Sequence, residues 1–286
     1  MGDTLASIDS WYGSCRVVDC GIDWFTTTAT DRKTALLLLI KAERIMSQEH
    51  RAGHFIKPWR MAGYSGWRCG RIEYGPRDDG AIVRLSSSLA DLEWWNLFQV
   101  TGRCSRIDLQ ATLRHDDGPI RPILKVERSF RKFYKGRTDG PTITVWRDNK
   151  QGHTLYLGKR QSDLYLRCYN KEAQSQDDFF QGCVRIELEV KNRLVQSVID
   201  SMLSYDTVAL GVCGVLSSFL KKRGGAPLII DDCREWLGPS QPAKDVLRTL
   251  AWLREQVKPS VIELTRMGHL EQLLEHLGLT NFVRPL

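Results

Sequence analysis

Three short segments of this chain alternate reactive and apolar side chains. In the first, Arg106, Asp108 and Gln110 share one parity while Ile107 and Leu109 take the other. In the second, Tyr165, Arg167 and Tyr169 alternate with Leu164, Leu166 and Cys168, and Lys171 continues the polar parity. In the third, Arg185, Glu187, Glu189 and Lys191 alternate with Val184, Ile186, Leu188 and Val190. Alternate residues of a strand point to one face, so each segment predicts a strand with one apolar and one reactive side. If the apolar sides pack on common helices, the reactive sides assemble into one patch of carboxylates, guanidinium groups and phenols.

Such a patch has two chemical readings. Opposite charges on neighbouring strands can simply pair, each pair contributing about 0.2–1 kcal/mol. Alternatively, Asp108, Glu187 and Glu189 supply the oxygen donors that a hard divalent cation takes, which suits Mg²⁺ or Mn²⁺. The tyrosines divide in the same way. A strand tyrosine is commonly half-buried with its hydroxyl satisfied. A phenol with its ordinary pKa of about 10 becomes a nucleophile only beside a cation or a base, and Tyr169 stands between Arg167 and Lys171 at strand spacing.

The elements that must position these residues read as α+β. Strand patterns cover about 21–28, 68–74, 81–86, 104–113, 142–146, 154–157, 163–169 and 182–191, with helical periodicity at about 31–49, 89–100 and 122–135. This predicts a central, mostly antiparallel sheet with flanking helices over residues 1–192. From 193 to 286 the texture turns helical, at about 193–203, 206–222, 242–257 and 260–277, broken by Gly224, Gly225, Pro227, Pro239, Pro242 and Pro259.

The net charge is +7, and its distribution matters more than its size. Between Arg121 and Arg137 the cations Arg121, Lys125, Arg128, Arg131, Lys132, Lys135 and Arg137 meet the single acid Glu127. Phe130, Phe133 and Tyr134 are interleaved with them, the mixture expected where phosphates and unstacked bases are both held. The same pattern suits an amphipathic helix with its aromatic rings in the core.

At 286 residues with 42% hydrophobic and 26% charged content, the chain is long and mixed enough to bury a substantial core. The longest apolar run, Ala35 to Ile40, is too short to cross a bilayer, and Met1 to Ser10 lacks a secretory apolar segment. Neither membrane insertion nor export is expected. Eight scattered cysteines with no Cys-x-x-Cys pair predict free thiols in a reducing cytoplasm. No His-x-His pair occurs.

At these same segments the chain resembles the Rep_trans replication initiators. The resemblance is carried by Ile22-Asp23-Trp24-Phe25-Thr26, Gly63-Tyr64-Ser65-Gly66 and Ser105-Arg106-Ile107-Asp108-Leu109. It continues through Leu155-Tyr156-Leu157-Gly158-Lys159-Arg160, Leu166-Arg167-Cys168-Tyr169-Asn170-Lys171, Val184-Arg185-Ile186-Glu187-Leu188-Glu189 and the helical tail around Trp252. It implies nicking and closing of origin DNA, double-stranded and exposed single strand, with a divalent metal, by a dimer working with a host helicase. On this resemblance Tyr169 is the expected nucleophile, supported by Arg167 and Lys171, with Tyr156 and Tyr165 as alternatives. Asp108, Glu187 and Glu189 are then the expected metal ligands, and Arg106 and Arg185 pair with them or reach the DNA backbone. The chain departs from the family where relatives carry a further acid after the Arg-Ile-Asp element, since it has Gln110 and Thr112. Two other functions stay open at this point, a non-catalytic origin-binding regulator and a metal-dependent DNA hydrolase.

Overall fold

The computed structural model describes residues 15–61, 63–138, 140–148, 152–175 and 177–223. Ten strands form one sheet: β1 (Cys15–Ala29), β2 (Ile56–Met61), β3 (Tyr64–Cys69), β4 (Ile72–Arg77), β5 (Gly80–Ser86), β6 (Arg106–His115), β7 (Ile143–Asp148), β8 (Gly152–Leu157), β9 (Leu164–Asn170) and β10 (Cys183–Lys191). Their order is β2-β3-β4-β5-β1-β6-β10-β9-β8-β7, and every neighbouring pair is antiparallel. Among the described residues the α-helices are α1 (Arg32–Arg51), α2 (Ser88–Thr101), α3 (Ile120–Phe133), α4 (Lys171–Ser175), α5 (Leu194–Leu203) and α6 (Val208–Lys222). The α+β architecture expected from the periodicity is the one observed.

Two transverse rows, one residue apart on each strand, show why the sheet has two unlike faces. One row pairs Cys69, Ile72, Leu85, Phe25, Ile107, Val190 and Leu164 across successive strands. All of them join the core or pack against it. Fully burying a side chain such as Phe25 or Ile107 contributes about 1.5–3 kcal/mol, so this row fixes the register. The adjacent row pairs Lys57, Arg68, Glu73, Arg84, Thr26, Arg106 and Lys191. A slip of one residue would place those charges in the core.

The apolar face is covered by helices. Leu38, Ile45 and Met46 of α1, Trp94 and Leu97 of α2, Ile123, Val126 and Phe130 of α3, and residues of α5 and α6 belong to the same buried cluster as the apolar strand residues. Asp31 caps α1 by accepting from the Thr34 amide at 2.9 Å, and Gly102 ends α2 in the left-handed region at φ 59°. The tail helices expected at 242–257 and 260–277, with Trp252, lie outside the described residues.

Two strand expectations are corrected. The stretch 68–74 is not one strand but the end of β3, a turn and the start of β4, because Gly70 at φ 54° reverses the chain. Strand β2 was not expected, since Pro58 argues against a strand. It lies at the sheet edge, where a missing backbone donor is tolerated.

Candidate active site

The polar parities of β6, β9 and β10 do fall on one face, in rows fixed by register. Asp108 faces Glu189, which faces Tyr165. One step along, Gln110 faces Glu187, which faces Arg167. One step further, Thr112 faces Arg185, which faces Tyr169. The predicted residues Arg106, Asp108, Tyr165, Arg167, Tyr169, Arg185, Glu187, Glu189 and Lys191 therefore share a surface.

Within it the Tyr169 hydroxyl donates to Glu187 Oε1 at 2.5 Å, and the other oxygen of Glu187 is held by Arg167. Tyr169 and Glu187 are both buried. Burial, with the Glu187 charge and hydrogen bond behind it, pushes the Tyr169 phenol well above its ordinary range, against the opposing pull of Arg185 and Arg167. The expected setting, with flanking cations favouring the phenolate, is thus corrected. The resting phenol keeps its proton and points it at a carboxylate.

Lys171 also departs from expectation. Strand β9 ends at Asn170, and Lys171 opens α4, its amine donating to Gln174 Oε1 at 3.0 Å and lying 5.1 Å from the centre of the Phe180 ring. Burial, and then the nearby Arg185 cation, lower its pKa. It borders the face without sharing the strand parity of Tyr169.

The acids expected to hold metal are divided by their arginines. Arg106 grips Asp108 through both oxygens, at 2.8 and 2.6 Å, and reaches Glu189 at 2.9 Å. Lys191 holds the other oxygen of Glu189. Burial raises the Asp108 carboxyl to about 6 even against Arg106. Among the described residues no three His, Cys, Asp or Glu side chains converge closely enough to hold a metal ion. The residues as placed do not fit the Mg²⁺ or Mn²⁺ that the resemblance implies, because the carboxylate oxygens are engaged by guanidinium and ammonium groups and, at Glu187 Oε1, by the Tyr169 hydroxyl.

Three residues of this face carried no role in the sequence reading. Asp19 accepts from Arg185 at 3.0 Å and from Gln110 at 2.9 Å. Asp23 lies 3.9 Å from Arg185, and burial, with the Glu187 charge, raises its pKa. Trp24 stands between the guanidinium groups of Arg84 and Arg106, 4.7 and 5.0 Å from its ring centre. The cause is a bulge. Ile22 pairs with Leu109 and Trp24 with Asp108, so Asp23 is the inserted residue and the parity of β1 shifts there. Alternation alone misses such a shift, although the polar Asp23 between Ile22 and Trp24 is its trace.

Tyr156 and Tyr165 stack on each other, ring centres 5.8 Å apart and planes 11° from parallel. Burial and Tyr156 raise the Tyr165 phenol. The basic segment is placed elsewhere. Helix α3 packs Ile123, Val126 and Phe130 into the core on the apolar side of the sheet, opposite Tyr169. Arg128, Arg131 and Lys132 are exposed on α3, and Lys135 and Arg137 are exposed beyond its end. Arg131 pairs with Glu127 at 2.8 Å and Arg137 covers the Phe133 ring at 4.2 Å. Phe130 is therefore a core residue rather than a stacking platform for bases.

A tyrosine hydroxyl seated on a carboxylate and ringed by arginines on one face of an antiparallel sheet has the parts of a group-transfer site. Residues 125–227 match the Rep_trans family, described as replication initiation factor. That span includes Tyr169, Arg167, Arg185, Glu187 and Glu189 and leaves out Asp108. A solved rolling circle replication initiator protein from Geobacillus stearothermophilus is similar over 80% of this chain and 96% of that one, at 16% identity and a TM-score of 0.49. No curated protein matches. No described helix is long and apolar enough to cross a membrane.

Proposed function

We propose that this chain initiates rolling-circle replication by nicking one strand of origin DNA through Tyr169. The carrying observation is the Tyr169–Glu187 hydrogen bond at 2.5 Å beside Arg167 and Arg185, inside the segment that matches the replication initiation factors. In this reading the Tyr169 oxygen attacks the scissile phosphorus while its proton passes to Glu187 Oε1. The bond from phosphorus to the 3′ oxygen breaks and that oxygen takes a proton from solvent water, leaving a free 3′ hydroxyl and a 5′-phosphotyrosine. Return attack by a 3′ hydroxyl, which gives its own proton to solvent, reverses the step while Glu187 returns its proton to the Tyr169 oxygen. Arg167 and Arg185 face the charge that grows on the phosphoryl oxygens.

The test is to incubate the full chain with supercoiled DNA of its own replicon, with Mg²⁺, with Mn²⁺ and with EDTA, and to map the peptide in any covalent adduct. DNA on Tyr169, and its loss in Tyr169→Phe with DNA binding unchanged, is the expected result. An adduct on Tyr156 or Tyr165 would overturn the assignment while keeping strand transfer. Nicking without an adduct would mean hydrolysis, and binding without nicking would mean a regulator.

A further inference from the structure

The charged row across the sheet does not stop at the site. From Arg106 it runs through Thr26 to Arg84, Glu73, Arg68 and Lys57, reaching the edge strand β2. With strands about 4.8 Å apart, the row from Lys57 to Lys191 spans about 30 Å on one face. At its outer end a cleft of about 500 Å³ is lined by Lys57, Arg68, Arg84, Trp24 and Phe55, with Glu73 on its wall. Phe55 is 78% exposed there, whereas core aromatic rings such as Phe25 are fully enclosed.

Arg84 adds an incompletely answered cation to the wall of the cleft. Its Nη1 donates to Glu73 at 2.9 Å, but its Nε is buried without a hydrogen-bond partner. Glu73 is shared with Arg68 at 3.2 Å, so one carboxylate serves two guanidinium groups while Lys57 faces Arg68 across the strands. The cations outnumber the acid, and Trp24 joins this cleft to Arg106 in the site. From Trp24 on β1 to Tyr169 on β9 there are three strand spacings across and four residues along the strands, about 20 Å in all.

We infer that the β2–β5 cleft is a single-stranded DNA site that holds the strand running away from Tyr169, with Lys57, Arg68 and Arg84 on its phosphates and Phe55 under a base. The inference rests on the proposed action on DNA and adds a binding surface separate from the basic segment on α3. Repeated cations with an exposed ring suit an unpaired strand, whose phosphates and base faces are presented together. Duplex DNA keeps its base faces stacked inside and gives Phe55 nothing to cover.

The test measures anisotropy of a labelled oligothymidylate and of a duplex of equal length across a salt series, using the full chain. For Lys57→Ala with Arg68→Ala, the slope of log K against log salt on the single strand should flatten by about 1.4, at about 0.7 per phosphate. Phe55→Ala should weaken single-strand binding about five- to 150-fold with its slope unchanged, and should leave duplex binding nearly untouched. Glu73→Gln should steepen the single-strand slope, which a merely damaged fold would not do. Unchanged slopes and affinities in all three variants, in a protein whose wild type forms the Tyr169 adduct, would overturn the cleft and leave the nicking proposal standing. Equal losses on duplex and single strand would overturn the single-strand assignment. Normal losses with no adduct from the wild type would uphold the cleft and sink the nicking proposal.

Discussion

The two ends of the polar face are built on opposite rules. Around β6, β10 and β9 the charges are answered within the protein: Arg106 by Asp108 and Glu189, Arg167 by Glu187, Arg185 by Asp19. Around β2 to β5, Lys57, Arg68 and Arg84 meet the one acid Glu73, and Lys57 and Arg68 are exposed. The closed end withholds Asp108, Glu187, Glu189 and Arg185 from water, so their interactions are strong and none can be changed singly without cost. The open end keeps Lys57 and Arg68 in water, with Arg84 half-buried behind them. A substitution at one end should therefore disturb chemistry and folding, and at the other only binding.

The largest difference is expected at Glu187. Glu187→Gln keeps an acceptor for the Tyr169 hydroxyl but no longer takes its proton, so adduct formation should slow by about 10²–10⁴-fold in a single-turnover assay. Oligothymidylate affinity should stay within about twofold. A rate unaffected by this change would remove Glu187 as the proton acceptor.

Next in size is the contrast between two arginines of the same row. Arg106→Ala strands the buried carboxylates Asp108 and Glu189 and should lower stability by about 3 kcal/mol in urea unfolding, since breaking one partner of a buried pair leaves an uncompensated charge. Arg68, 54% exposed in its pair with Glu73, should cost at most about 1 kcal/mol. Equal costs would erase the distinction between the two ends.

A smaller effect concerns pH. The Asp108 carboxyl, raised by burial from its ordinary 3.8 to about 6, binds its proton more tightly in the folded chain than in the unfolded one. Its contribution to stability is therefore greatest on the acid side and declines as pH rises from about 4 to about 6. Asp108→Asn should remove this slope from the pH dependence of unfolding. A difference between the two proteins that grows with acidity in the opposite direction would contradict the assigned burial.

The smallest effect is expected from α3, which lies on the far side of the sheet. Replacing Arg131, Lys132 and Lys135 together with Ala should flatten the duplex salt slope by about 0.9 for each phosphate they neutralise, while the adduct rate at saturating DNA stays the same. A slower chemical step in that variant would show coupling through the sheet that the opposite placement does not provide.

How far the sequence carried these conclusions follows from periodicity. Strands β6, β9 and β10 were legible because each has an unbroken run of alternating residues, and their register brings Asp108, Glu189 and Tyr165 into one line as parity requires. Helix α3 was legible as a helix, but its charges could not say which face of the sheet it would cover. Asp23 was hidden by a bulge, and β2 by Pro58. The state of Tyr169 was hidden for another reason. Parity placed Arg167 beside it, yet only pairing with β10 brings Glu187 to its hydroxyl.

The first strand among the described residues sits inside the sheet, and that placement sets an order of events during synthesis. Strand β1 lies between β5 and β6, while β10 joins through β6, so Arg185 finds Asp19 across 166 positions of sequence. Contacts between such distant segments close late. Until His115 has been made β1 lacks its full β6 partner, and until β10 has been made the Tyr169 face does not exist. A nascent fragment can collapse around α1 and the β2–β5 meander, yet it lacks the Tyr169–Glu187 pair until β10, which ends at Lys191, has emerged.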